Sequence, residues 1–297
     1  MILNNANLQE AFRGYKTVFQ NAVDSVEDDA IERLAMTVPS TGSGEKFPVG
    51  QLLGDLEEVV DEVVFENIAV WVQQVDVRTF AKGVAVKVDA LADDSLGIYR
   101  PTIENYGRRA AQLPLKLMAH AFVNGFTEEW IDGNPVFYAD ERNWPGDSEE
   151  KFQNRHDLQL TGDNFDTLFQ EMEERVGPDG APLGLTPDVL MCGPSNRAAA
   201  EDILEVRRQA NGADNRRYGK ADLVVNSRIT GDQWGLAATT PVKPMALLDR
   251  SGPNFYSQTD LTSDAAMHQE QLEFKARRRC NVRVVVPWQF QVSDGNA

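Results

Sequence analysis

The run from Phe80 to Phe137 constrains this chain more than any other part of it. Val84, Val86 and Val88 alternate with Ala85, Lys87 and Asp89. A period of two predicts a strand. The pattern ends in an acidic turn, Asp93-Asp94-Ser95, which suits a helix entry better than a cation site, because carboxylates stabilise a helix N-terminus. A long helix is then predicted over 101–124. Pro101 fits the first turn, where its missing N–H is not needed. Ile103, Tyr106, Ala110, Leu113, Leu117 and Ala121 form one apolar stripe, with Met118 and Phe122 beside it. Pro114 lies inside the stretch and predicts a kink near Ala110–Gln112. Gly125 is expected to end the helix as a left-handed cap. Asp132-Gly133 then turns the chain into the next extended segment. Upstream, Val70, Val72, Val75 and Val77 make a second extended stretch. Its phase slips at Gln73-Gln74, which predicts a bulge or bend. The two stretches are expected to form a long two-stranded ribbon over 66–91. Such a ribbon is marginal alone in water and needs a surface to lie against, a neighbouring subunit being one candidate.

The remaining segments are shorter. Leu8, Phe12, Tyr15, Val18, Phe19, Ala22 and Val23 predict a helix over 5–26, an arm that packs on something else. Residues 38–54 read as loop, rich in Gly, Ser and Pro. Residues 141–162 are polar and read as a surface loop. A helix is expected over 163–176, with Phe165, Leu168, Phe169 and Met172 on one face. Asp188–Cys192 reads as a buried strand, and Pro194-Ser195-Asn196 opens a helix to about Gln209, an α/β unit. Residues 211–220 read as a mobile loop. Short strands are expected at 223–225, 234–238, 245–248, 271–274 and 282–286. There is no internal repeat and no low-complexity tract.

Composition excludes several functions. The 297 residues carry 46 acids against 29 bases, a net charge of −17. Non-specific affinity for nucleic acid is therefore expected to be poor. The bases cluster as Arg277-Arg278-Arg279 and as the doublets Arg207-Arg208 and Arg216-Arg217, which would meet acidic patches on a neighbour or lie on solvated faces. No apolar run approaches the length of a membrane span, and the N-terminus has no secretory pattern. The two cysteines, Cys192 and Cys280, are too few and too far apart for a disulfide framework or a zinc site, so a reducing cytoplasm is the expected folding compartment. His120, His156 and His268 have no helical metal-ligand spacing. Met191-Cys192-Gly193-Pro194-Ser195 lacks a nucleophile-elbow pattern, and a structural thiol is expected at Cys192. Gly42-Ser43-Gly44-Glu45-Lys46 lacks the spacing of a phosphate loop. No catalytic trio, cofactor motif or metal motif stands out, so an enzyme is not expected.

Several blocks, in order, resemble the Mu-like phage major head subunit (gpT-like) family. They are Met1-Ile2 with Ala11-Phe12 and Phe19, then Lys46-Phe47-Pro48. Val77-Arg78-Thr79-Phe80 through Asp93-Asp94-Ser95-Leu96-Gly97-Ile98-Tyr99 is the most specific. Gly107 to Ala111, Asn124-Gly125-Phe126 and Asp132-Gly133 follow. Val224-Val225, Trp234, Pro241-Val242-Lys243-Pro244 and the closing Phe274, Arg278 and Trp288 complete the series. Glu141-Arg142-Asn143-Trp144-Pro145 departs from the histidine-proline pair the family pattern leads one to expect.

The resemblance implies an α+β, HK97-like capsid fold. On this sequence it implies an N-terminal arm at 1–46, an extended β-ribbon loop at 47–95, and a peripheral domain with its spine helix at 96–162. An axial domain at 163–260 and a return to the peripheral domain at 261–297 complete it. It further implies a virion shell built in the host cytoplasm from hexamers and pentamers of this chain, enclosing DNA without sequence-specific binding. An acidic wall that does not stick to packaged DNA fits that use. A separate scaffold or protease, a portal and a decoration protein are the implied partners, since no long charged helical segment precedes the arm. An encapsulin-like compartment or gene-transfer particle is the alternative, and a cytoplasmic α/β enzyme the distant one. The residues expected at contacts between subunits are Phe12, Phe19, Trp71, Val75, Val77, Phe80, Arg277, Arg278 and Arg279. On this reading, deletion of 66–90 should abolish shells and leave a folded subunit.

Overall fold

The computed structural model describes residues 5–27, 29–49, 71–88, 99–144, 149–208, 212–258 and 268–295. Val70, Asp89, the Asp93-Asp94 pair and Asn211 lie outside the described residues.

Two sheets organise the molecule. The first has four strands: β1 (Ala35–Pro39), β4 (Arg78–Lys87), β11 (Met245–Ser257) and β12 (Gln271–Val284), in the order β1-β11-β12-β4. β1 runs parallel to β11, and the other pairs are antiparallel. The second has five: β7 (Arg155–His156), β8 (Val189–Cys192), β9 (Asp222–Val225), β10 (Trp234–Ala237) and β13 (Phe290–Ser293), in the order β7-β13-β10-β8-β9. β8 and β9 are parallel, and parallel neighbours need a crossover. Here a 3₁₀ turn at Pro194–Asn196 and the helix α6 (Arg197–Leu204) supply it, as the α/β reading expects. All four residues of β8, of β10 and of β13 are buried. This sheet is the centre of the main core. The helix α5 (Gly162–Glu173) closes one side with Phe165, Leu168, Phe169 and Met172. Its first turn is capped by Thr161, whose hydroxyl accepts the Asn164 N–H at 3.2 Å.

The long helix forms in two pieces, α3 (Tyr99–Ala111) and α4 (Leu113–Asn124), with the break at Gln112 and Pro114 in the first turn of α4. The break frees carbonyls at the end of α3. The Arg278 guanidinium takes them, donating to Ala111 O at 3.0 Å and to Ala110 O at 3.4 Å.

Several expectations are corrected. Gly125 is right-handed, with φ −57° and ψ −21°. Glycine is needed there for space, because a Cβ would lie 2.6 Å from the Phe137 ring. The strand β3 (Trp71–Asp76) has no bulge. Gln73 and Val75 both point inward while Val72 is half exposed, so the period of two holds with a glutamine on the buried face. That glutamine is satisfied: its Nε2 donates to Val284 O at 3.1 Å and its Oε1 accepts the Trp130 indole N–H at 3.3 Å. The two valine-rich stretches do not pair with each other. β3 pairs with β2 (Gly44–Val49), inside the stretch read as loop, and β4 pairs with β12. The chain over 271–284 is one strand, and the strand begun at Met245 runs on to Ser257 through two register shifts. Residues 141–162 bury Arg142, Trp144, Phe152, Asn154 and Leu160, so they are far more than a surface loop. They include the short pair β5 (Arg142–Asn143) and β6 (Lys151–Phe152).

α6 stops at Leu204, five residues before its expected end. The Asn215 amide caps it, donating to Ile203 O at 2.9 Å and Val206 O at 2.8 Å. That capping pins the 212–220 segment, which the sequence had suggested was mobile. Deletion of 66–90 is expected to unfold the subunit, since it would remove β3 with its buried Gln73 and Val75 and one of the four strands of a sheet.

Candidate assembly surface

The N-terminal helix α1 (Asn5–Asp24) lies against the distal half of the four-stranded sheet and against α3. Phe12 packs with Val86, Leu272 and Phe274, its ring 5.0 Å from that of Phe274. Phe19 packs with Ile103 and Ala276 and lies 5.1 Å from Phe255. The helices cross closely because Gly107 has no side chain: a Cβ there would sit 2.6 Å from Phe19 O. A short helix α2 (Asp29–Leu34) then leads into β1.

The residues expected at subunit contacts divide sharply within the chain. Phe12, Phe19 and Val75 are buried in the subunit itself, at 4%, 1% and 0% exposure. Trp71 is half buried and meets Trp130 edge to face at 4.7 Å. Val77 and Phe80 lie partly buried against the main core. The three-arginine run splits by the period of two. Arg278 turns to the helix side, where it also pairs with Asp249 at 2.9 Å. Arg277 and Arg279 flank it on the strand and share the opposite face with Lys275. That face is covered by no described helix. Of the other basic doublets, Arg216-Arg217 is matched within the chain, and Arg208 reaches Asp214 at 3.5 Å. Arg217 binds Asp166 at 2.8 Å and Asp163 at 3.0 Å, and Arg216 binds Asp166 at 2.7 Å. Burial alone would raise the Asp166 pKa, but the hydrogen bonds and charges of Arg217 and Arg216 outweigh it and hold the carboxyl below its ordinary value.

Reactive chemistry is scarce. Among the described residues no group of three or more His, Cys, Asp or Glu side chains could hold a metal. The His156 ring lies 3.0 Å from Gln291 Oε1 and 3.1 Å from Glu171 Oε2, and His120 meets Asn124 one turn on. An apolar cleft of about 310 Å³ opens beside Met36, Phe47, Leu185, Val242 and Trp288, and no titratable side chain lines it. Both cysteines are free and buried.

Burial pushes each thiol from 9.0 up to about 11, so neither is a ready nucleophile. The folded chain holds these protons more tightly, so their contribution is complete below pH 9 and is lost as pH rises through about 11. Each thiol should contribute about 2–3 kcal/mol across that window. Urea unfolding at pH 8 and pH 10.5 should show a steeper loss for the natural chain than for the Cys192→Ala/Cys280→Ala variant. Equal slopes would refute it.

Comparison with known proteins decides the family. The model of the Mu-like prophage major head subunit gpT family matches this chain over residues 8–158 and 150–229. The chain belongs to the Mu-like prophage major head subunit family. This member of the major head subunits is 26% identical over 137 residues to the major capsid protein of Escherichia phage Mu, a match that covers 46% of this chain and 45% of that one. It thus spans less than half the length of the curated relative it matches.

The head-subunit fold is seen in solved shells. The procapsid of bacteriophage JBD30 superposes with a TM-score of 0.59 at 19% identity, covering 98% of this chain and 76% of that one. The virus-like particle from Pyrococcus furiosus superposes at 0.59 and 11% identity, covering 95% and 98%. The fold is therefore the HK97-like capsid fold, with helices and sheets arranged as α+β.

Proposed function

We propose that this chain is a major capsid protein that self-assembles, through hexamers and pentamers, into the icosahedral shell enclosing phage DNA. The observation that carries the reading is a head-subunit family match over most of a chain whose fold is that of capsid shells. In this reading the four-stranded sheet with α1 and α3 serves as the peripheral part and the five-stranded sheet as the axial part. The arm, the β3–β4 segment and the arginine-bearing face of β12 meet neighbouring copies. Scaffold or protease, portal and decoration functions come from separate proteins, and a minor capsid protein does decorate the JBD30 shell in trimers. No catalytic role is assigned.

Negative-stain electron microscopy after size exclusion tests the proposal. Closed particles, rings or hexamer tubes are expected, alone or on co-expression with a scaffold. A monomer that stays single with every scaffold would overturn it. The same fold also builds gene-transfer particles, with a TM-score of 0.57 at 9% identity. The packaged cargo separates the two uses.

A further inference from the structure

The outer edge of β4, the last strand of the four-stranded sheet, is paired by no described strand, and the backbone register shows which residues face it. Val88 N–H donates to Glu270 O at 2.9 Å, one step beyond the Lys87–Gln271 pair. Opposed residues of an antiparallel ladder alternate between bonded and non-bonded pairs. The even-numbered residues of β4 therefore bond to β12. On the other side of β12, the Gln258 N–H bond to Glu273 O fits the same alternation. Thr79, Ala81, Gly83, Ala85 and Lys87 then aim their N–H and C=O groups away from β12, and all five are exposed. No described strand pairs with them.

Natural sheets blunt such edges with prolines, bulges, short lengths or charged side chains, lysine above all. This edge carries Lys82 and Lys87, which an acidic partner strand would neutralise, and none of the other devices. Its register with β12 is unbroken from Arg78 to Lys87, and the strand contains no proline. The outer-face side chains Ala81, Gly83 and Ala85 are small, so a backbone can approach. The strand carries Arg78, Lys82 and Lys87 and no acid. Lys275, Arg277 and Arg279 of β12 extend the positive field beside it.

We propose that the β4 edge is a strand acceptor, paired in the shell by an extended acidic segment of a second copy of this chain. The inference rests on the shell reading above and names the partner of one of its surfaces. Two β4 edges would bring like charges together, which excludes an edge-to-edge twofold. The rest of a chain with net charge −17 supplies carboxylates in excess.

The test compares wild-type shells with free subunits. Amide hydrogen exchange at Thr79, Ala81, Gly83, Ala85 and Lys87 should slow at least tenfold on assembly. Unchanged exchange in intact shells overturns the proposal. In shells made from mixed ¹⁴N and ¹⁵N copies, a carbodiimide should join Lys82 or Lys87 to an Asp or Glu of the other isotope. Links confined to one isotope overturn it. Ala81→Pro with Ala85→Pro removes two edge-facing donors and no bond to β12. That variant should melt like the wild type and build no closed shells, and shells at wild-type yield would overturn the proposal. If the prolines prevent folding, the exchange and cross-linking results decide. If the wild type builds no shells with any scaffold, the shell reading and this inference fall together. Shells with an unprotected edge sink this inference alone.

Discussion

Replacing Arg175 by alanine should cost about 3–5 kcal/mol of folding stability, since it takes a charged donor from three buried carbonyls, and one such hydrogen bond contributes about 1.5–3 kcal/mol. Arg175 follows α5 and is buried at 7% exposure. One guanidinium nitrogen donates to the carbonyls of Trp288 and Phe290, and the other donates to that of Gln153. The Phe152 ring lies 5.6 Å away. Burial lowers the Arg175 pKa to about 10, with the Glu171 charge acting against the fall, so the cation persists at neutral pH. Alanine would leave three buried carbonyls without their donors and a cavity beside Phe152. Those carbonyls belong to the chain before β7 and to the entry and first residue of β13, so the damage reaches the centre of the five-stranded sheet. Urea unfolding checks it. Arg175→Lys should recover part of the loss, because one ammonium cannot span the three acceptors as the planar fork does. A loss under about 1 kcal/mol for alanine would contradict this account, since an ordinary hydrogen bond contributes that much.

Phe19→Ala should have an effect of similar size and a different character. Removing a fully buried phenylalanine costs about 3–5 kcal/mol. Phe19 sits in a small cluster with Ile103 and Ala276, separate from the main core. The loss should therefore fall on the docking of α1 rather than on the whole subunit. Amide exchange in α1 should quicken by two to three orders of magnitude, while the main urea midpoint moves much less. Phe19→Leu should show a fraction of the change. A matching collapse of the main transition would show that the arm and the core unfold as one.

What could be read from the sequence was what neighbours in the chain decide. The apolar stripe from Ile103 to Ala121 and Pro114 specify a helix and its break within a few turns, and both are present. α5, β8 and β10 carry enough local apolar pattern to stand out. Strand partners were not legible, because β4 finds its mate almost two hundred residues on, at 271–280. The arginine run hid the length of β12. Leu272, Phe274 and Ala276 alternate with Glu273, Lys275 and Arg277, yet Arg278 falls on the buried phase and breaks the pattern. Its role is visible only once the carbonyls of Ala110 and Ala111 are in place. Arg142 and Gln73 failed for the same reason. Each is a polar residue on an inward face, held by Asp132 at 2.8 Å in one case and by Trp130 and Val284 in the other. The expected contact residues were chosen for size and charge, criteria blind to the backbone N–H and C=O groups along the outer edge of β4.

The order of strands in the first sheet also sets a timetable. β1 and β4 are made early, but their partners begin at Met245 and Gln271. During synthesis from the N-terminus neither early strand has anything to pair with until the last quarter of the chain has emerged. Contacts of such long sequence separation are slow to form, so the sheet closes late. A polypeptide that stops short of Met245 has neither β11 nor β12, so its arm keeps α3 to lie against and loses the sheet. Such a product lacks two of the four strands of the first sheet, so topology alone sets it apart from a finished chain.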